Sequence, residues 1–158
     1  MREKILTTPA LAAALSARRA RNERIVFTNG CFDLLHIGHT RYLQEARTLG
    51  DCLIVGLNSD ASVRAIKPNG RPLVPQAQRA EVLAALACVD HVVIFDEPDP
   101  RHLIAAVQPD VLVKGGDWPV EQIVGRELVQ ARGGTVVTIP LVADVSTTSL
   151  VRRIQSLT

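Results

Sequence analysis

Two histidines three residues apart, His36 and His39, close the stretch Thr28-Asn29-Gly30-Cys31-Phe32-Asp33-Leu34-Leu35-His36-Ile37-Gly38-His39. At that spacing on a helix, two imidazoles face one point. The first backbone N–H groups of a helix lack partners and its dipole end is positive, so such a start can bind an anion. Gly38, between the histidines, removes a side chain where a phosphate would approach the backbone. Lys67 lies in Lys67-Pro68-Asn69-Gly70-Arg71-Pro72, a turn-rich segment whose reach suits a lid over phosphates. Lys114 follows an apolar run and precedes Gly115, Gly116 and Asp117. Ser146, Thr147 and Thr148 bring three hydroxyls to a second helix start, where a simple N-cap would use one. These residue types suit nucleotidyl transfer: a phosphate oxygen attacks the α-phosphorus of a nucleoside triphosphate and pyrophosphate leaves. The nucleophile is already an anion, so the protein needs no strong general base. It must hold two anions in line and neutralise the charge that builds on the phosphoryl oxygens.

Other chemistries fit less well. A His-x-x-His metal site lacks a recognisable third and fourth ligand. No GxxxxGK[ST] occurs, and no GxGxxG follows the first apolar run, which speaks against a P-loop kinase and a hydride-transfer enzyme. Cys31 has no base of its own to make it a nucleophile. Cys31, Cys52 and Cys88 are odd in number and widely spaced, as reduced intracellular thiols are. Asp33 could orient a loop, orient a histidine or cap a helix, and the sequence does not choose. Arg79, on a helix, reads as structural or as a sugar-phosphate ligand. A net charge of +2 gives no reason to expect a nucleic-acid partner. No apolar run would span a membrane and no signal-peptide pattern opens the chain, so a cytoplasmic protein is expected.

The elements that must position these residues are legible as alternation. Apolar runs at 24–28, 52–57, 91–95, 111–113 and 135–139 read as strands. Helical stretches are expected at 38–49, 61–66, 76–87, 101–107, 120–131 and from Ser146 onward. Gly50 is the expected C-cap of the first of these. A lead-in helix within 1–23 is expected to be capped by Thr8, with Pro9 at its first position and a solvated basic end at Arg18-Arg19-Ala20-Arg21. The alternation implies an α/β fold with a single doubly wound parallel sheet of five strands over residues 24–158. Ligands in such sheets bind beyond the carboxyl ends of the strands, at the switch point. The four polar motifs at 28–39, 58–60, 114–118 and 146–148 each follow a strand, which predicts one composite site. With 47% hydrophobic but only 3% aromatic residues, the core must be mainly aliphatic.

The motif from Asn29 to His39 resembles the HxGH nucleotidyltransferase family, and the similarity extends over roughly residues 24–154. Within it the chain looks most like the heptose 1-phosphate adenylyltransferases of lipopolysaccharide precursor synthesis. The stretches that carry this are Leu-Asn-Ser-Asp-Ala-Ser-Val-Arg, Gly-Arg-Pro, Leu-Val-Lys-Gly-Gly-Asp-Trp and Ser-Thr-Thr-Ser-Leu, with the histidine motif. The resemblance implies a Rossmann-like nucleotidyltransferase fold. It implies that ATP and D-glycero-β-D-manno-heptose 1-phosphate give ADP-heptose and pyrophosphate, with Mg²⁺ carried by the nucleotide and no protein metal site. His36 and His39 would stabilise the transition state and Lys67 would approach phosphate. Thr28, Asn29, Gly30, Phe32, Gly38, Lys114, Gly115, Asp117, Ser146, Thr147 and Thr148 would bind the nucleotide, and Asp33 and Arg79 the sugar phosphate. The placement of the Gly-rich loop at a strand's carboxyl end predicts that backbone groups around Gly115, Gly116 and Asp117, with the C-terminal motif, recognise adenine and that Trp118 shelters it.

Many relatives fuse this domain to a sugar kinase; here a separate kinase is implied. The arginine that related cytidylyltransferases carry before Ile-Ser-Thr-Thr is missing from Leu141-Val142-Ala143-Asp144-Val145. A cytidylyltransferase acting on a phospho-alcohol or phosphonate is therefore the second reading, and a nucleotide-binding module without turnover the third. A homodimer is expected through 84–92, against the alternative that these residues fill the core.

Overall fold

The computed structural model describes residues 1–157 apart from Asn69, Asp117 and Asp144. Helix α1 (Thr8–Ala20) leads into β1 (Ile25–Gly30), and α2 (Ile37–Arg47) follows it. Strand β2 (Cys52–Asn58), helices α3 (Asp60–Ile66) and α4 (Gln76–Ala84), and strand β3 (His91–Phe95) come next. Then α5 (Arg101–Val107), β4 (Val111–Gly115), α6 (Arg126–Gln130), β5 (Thr135–Ile139) and α7 (Thr147–Gln155) complete the chain. All strand pairs are parallel and the order is β3-β2-β1-β4-β5. The winding reverses between β1 and β4, so the switch point lies beside the loop that carries the histidines. This is the doubly wound five-stranded sheet expected from the sequence.

Successive residues of the central strands feed opposite faces of the sheet. Val26, Leu53, Val55 and Val111 pack with Leu43 and Leu83 on one side. Ile25, Phe27, Ile54 and Leu112 pack with Leu11 and Leu15 of α1 on the other. Every residue of β2 is buried, which is why its apolar run is continuous rather than alternating. No described helix is long and apolar enough to cross a membrane.

Several local expectations change. Thr7, not Thr8, caps α1: its hydroxyl accepts from Ala10 N at 3.4 Å, which puts Thr8 and Pro9 in the first turn. The basic end of α1 is tied down rather than solvated. Arg18 pairs with Glu23 at 2.5 Å and lies 3.6 Å from Asp90, and Arg19 donates to the Val107 and Gln108 carbonyls. Thr48 is the C-cap of α2. Gly50 is needed for packing instead, since a Cβ there would meet Arg24 O at 2.6 Å. The helix expected over 120–131 is broken: a 3₁₀ turn (Val120–Gln122) precedes α6, and Gly125 between them has φ +85°. A Cβ on Gly125 would lie 2.5 Å from Ile104 Cδ1, so only glycine fits this left-handed corner. In the segment considered for a dimer, Ala84, Val89 and Val92 are core residues. The outer edge of β3 is partly taken by the chain's own start, where Ile5 pairs with Val92 and Leu6 N donates to Val92 O at 2.9 Å.

Candidate active site

A cavity of about 680 Å³ opens beyond the carboxyl ends of the strands. The loop after β1 contributes Asn29, Gly30, Cys31, Phe32, Asp33 and His39; Asn58 ends β2; Lys67 and Arg71 follow α3. Lys114 ends β4, Trp118 follows it, and Thr147 and Thr148 open α7. The four sequence motifs therefore meet in one site, as their placement after strands predicts.

The two histidines are stacked, with ring centroids 3.9 Å apart and planes 25° from parallel. The stack follows from the way α2 begins. His36 is the N-cap, in extended conformation, and its carbonyl accepts from His39 N at 2.9 Å and Thr40 N at 3.2 Å. Gly38 makes room for the ring of His36, because a Cβ there would lie 2.9 Å from both Cε1 and Nδ1. That glycine thus gives the His36 ring its room. Phe32, at φ +44°, turns its ring under Gly30 and toward His39, 5.3 Å between centroids. Burial pushes the His39 imidazole down to about 4, helped by His36 alongside and opposed by the Leu34 carbonyl. Burial also lowers His36. Both rings are therefore neutral donor–acceptors near pH 7 in the free protein. Among the described residues, the buried Nδ1 atoms of both find no hydrogen-bond partner.

Lys114 is half-buried, and desolvation lowers its ammonium, with Lys67 adding to the effect and Cys31 opposing it. Burial raises the Cys31 thiol despite Lys67 and Arg79 nearby, so it is no activated nucleophile. Ser146 spends its hydroxyl on a capping box with Ser149, each side chain accepting the other's backbone N–H at 3.0 Å. Thr147 donates to Leu34 O at 3.3 Å, which ties α7 to the histidine loop and leaves Thr148 facing the cavity. Gly115 gives space to Leu141 and Tyr42. Asp117 lies outside the described residues.

Two expected ligands lie away from the cavity, and a third, Asp33, borders it but spends its carboxylate on a loop. Thr28 is fully buried and pairs its hydroxyl with Tyr42 Oη at 2.5 Å, away from the cavity. Arg79, 1% exposed, donates to the carbonyls of Val74, Cys31 and Asn58 and to Asp60 Oδ1 at 2.5–2.9 Å. Its guanidinium is a structural rivet, not a sugar-phosphate ligand. Asp33 holds a loop: its carboxylate accepts from Leu73 N, Val74 N and Arg71 Nη1, all at 2.8–3.0 Å. Burial pushes this carboxyl up, but those donors outweigh it and the group stays below its ordinary value. The structure adds Arg71, Asp99 and the Gln122–Val124 wall to the site. Arg71 stood in plain view in Gly-Arg-Pro. The Gln122–Val124 wall was hidden by the continuous helix expected there.

A parallel sheet with stacked histidines, lysines and a helix start around one cavity defines a nucleotidyltransferase-type enzyme. The cytidylyltransferase-like family matches residues 27–153, and the chain belongs to it. The bifunctional protein HldE of Geotalea uraniireducens is 56% identical over 153 residues, covering 97% of this chain and 31% of that protein. HldE of Nitrobacter hamburgensis is 58% identical over 152 residues, covering 96% and 31%. The chain thus spans about a third of the length of these relatives. A lipopolysaccharide core biosynthesis protein of Thermoplasma volcanium superposes with a TM-score of 0.60 at 30% identity, over 76% of this chain and 97% of that one. A pantoate–β-alanine ligase of Francisella tularensis, 14% identical with a TM-score of 0.59 over 96% of this chain and 76% of its own, shares the fold.

Proposed function

We propose that this enzyme transfers the adenylyl group of ATP to D-glycero-β-D-manno-heptose 1-phosphate, giving ADP-heptose and pyrophosphate. The observation that carries the reading is the histidine stack at the rim of a cavity that also holds Lys67, Lys114 and Thr148. The resemblance to heptose 1-phosphate adenylyltransferases and the identity with the HldE proteins support the substrates.

The acceptor's phosphate oxygen attacks the α-phosphorus, and the bond to the bridging oxygen of pyrophosphate breaks. The neutral imidazoles donate N–H to the transferring group as its charge redistributes. The first N–H groups of α2 add to that field. Lys114 is costly to bury alone, and an arriving phosphate relieves that cost. Lys67, at the C-cap of α3 and exposed, swings in with the leaving pyrophosphate. Mg²⁺ carried by the triphosphate would offset its charge. Asp33 is engaged by Leu73 N, Val74 N and Arg71 Nη1.

A pyrophosphate-release assay across ATP, CTP, GTP and UTP, with heptose 1-phosphate and glycerol 3-phosphate as acceptors, tests the reading. Turnover with ATP and heptose 1-phosphate above all other pairs is expected. Better turnover with CTP would replace it by the cytidylyltransferase reading, and better turnover of ATP with glycerol 3-phosphate would replace the acceptor. No turnover with any pair, alongside measurable nucleotide binding, would leave a binding module.

A further inference from the structure

We propose that Arg71 is the clamp for the acceptor's phosphate, and that Asp33 is the positioning residue that holds it ready. The proposal rests on the function above and names the cation that this function lacks. Two anions must approach each other, and each needs its own positive partner. Lys114 and the start of α7 lie on the β4 side of the histidine loop, where they can take the triphosphate. Arg71 lies in the α3–α4 connection, on the β2 side, and borders the same cavity. β2 and β4 flank β1 on opposite sides, so the two cations come from chain segments on either side of the strand that leads into the histidines.

The two arginines near this loop behave differently. Arg79 is 1% exposed and spreads its guanidinium over four acceptors. Arg71, with 18% of its side chain exposed, makes one polar contact among the described residues, Nη1 to Asp33 Oδ2 at 2.8 Å. The rest of its planar fork is unspent at the cavity wall, and a fork of N–H donors matches a phosphate. The carboxylate of Asp33 is shared, since it also accepts from Leu73 N at 2.8 Å and Val74 N at 2.9 Å. Those backbone donors fix the carboxylate, and the carboxylate fixes the guanidinium. Side-chain entropy is thus lost on folding rather than on binding.

The test uses the full chain, with Arg71→Gln, Asp33→Asn and the double variant, each first shown to be folded by circular dichroism. With ATP and heptose 1-phosphate, Arg71→Gln should raise the KM of the sugar phosphate by about 10- to 100-fold. The KM of ATP should stay within about twofold, since Lys114 and Thr148 hold the triphosphate before reaction and Lys67 meets only the leaving pyrophosphate. Asp33→Asn should shift the same KM in the same direction by less, and the double variant should match Arg71→Gln, because Asp33 acts through Arg71. An unmoved sugar-phosphate KM, or equal rises in both KM values, would overturn the assignment. Calorimetric titration with inorganic phosphate gives a readout independent of turnover. If the wild type adenylylates no sugar phosphate, the functional reading fails, while weaker phosphate binding by Arg71→Gln still upholds the clamp. Equal binding refutes it.

Discussion

Replacing His39 by Ala should lower kcat far more than it changes the affinity for ATP. The ring lies 3.9 Å from that of His36 and is held neutral, its imidazole pushed down to about 4. It therefore works as one preorganised donor rather than as a cation. Loss of one such donor costs roughly 10²- to 10³-fold in kcat, or about 2.7–4 kcal/mol. The effect belongs to the transition state, where charge redistributes, so the KM of ATP should move little. The two rings serve one phosphoryl group, so the double variant should lose less than the product of the single losses. Steady-state pyrophosphate release at saturating substrates measures this directly. An NMR titration of the free protein checks the protonation premise, since the His39 imidazole should titrate near 4 rather than at its ordinary 6.5. A folded His39→Ala variant with wild-type kcat, or a His39 resonance titrating at 6.5, would refute the reasoning.

Stability should fall as pH drops from about 7 toward 4. His36, His39 and His91 all hold their protons less readily folded than unfolded, chiefly through burial, so the unfolded chain takes up more protons below 6.5. Chemical denaturation at pH 7.5 and pH 5 measures the difference, and equal stability would contradict it. Arg79→Met should destabilise by about 3–5 kcal/mol, because it strands three carbonyls and the Asp60 carboxylate, and a thermal melt reads this out. Gly125→Ala should cost about 1–3 kcal/mol in the same assay, as φ +85° disfavours any Cβ. Lys67→Ala should lower turnover at an unchanged melting temperature, since its side chain is exposed in a loop. Unchanged kinetics would remove Lys67 from the site.

Strands were the easiest elements to read, for a physical reason. A strand covered on both faces must be apolar at every position, and β2 is buried throughout. The bounds of β3, α5 and β5 match the expected ones, with turn residues or glycines punctuating each. The continuous helix over 120–131 failed because Gly125 takes a left-handed turn at φ +85°, in a corner where Ile104, a residue distant in sequence, leaves no room for a Cβ. The same holds for Asp33 and Arg79. Their residue types announce charge, but only the fold shows that one clasps Leu73 and Val74 and the other rivets three carbonyls. The composite site itself was legible, because carboxyl ends of parallel strands converge whatever the loops contain.

The pairing of Ile5 with Val92 bears on how the protein can be handled. β3 is an outer strand, and its free side is a row of backbone groups that invites another strand. The start of the chain shields part of that row, with Leu6 N on Val92 O. Trimming the first six residues would uncover it beside the apolar Val92 and Val93. The shortened protein should then pass slowly into concentration-dependent aggregates, even though nothing in its catalytic cavity has been touched. A solubility tag or crystallisation strategy that reworks this terminus would meet the same hazard.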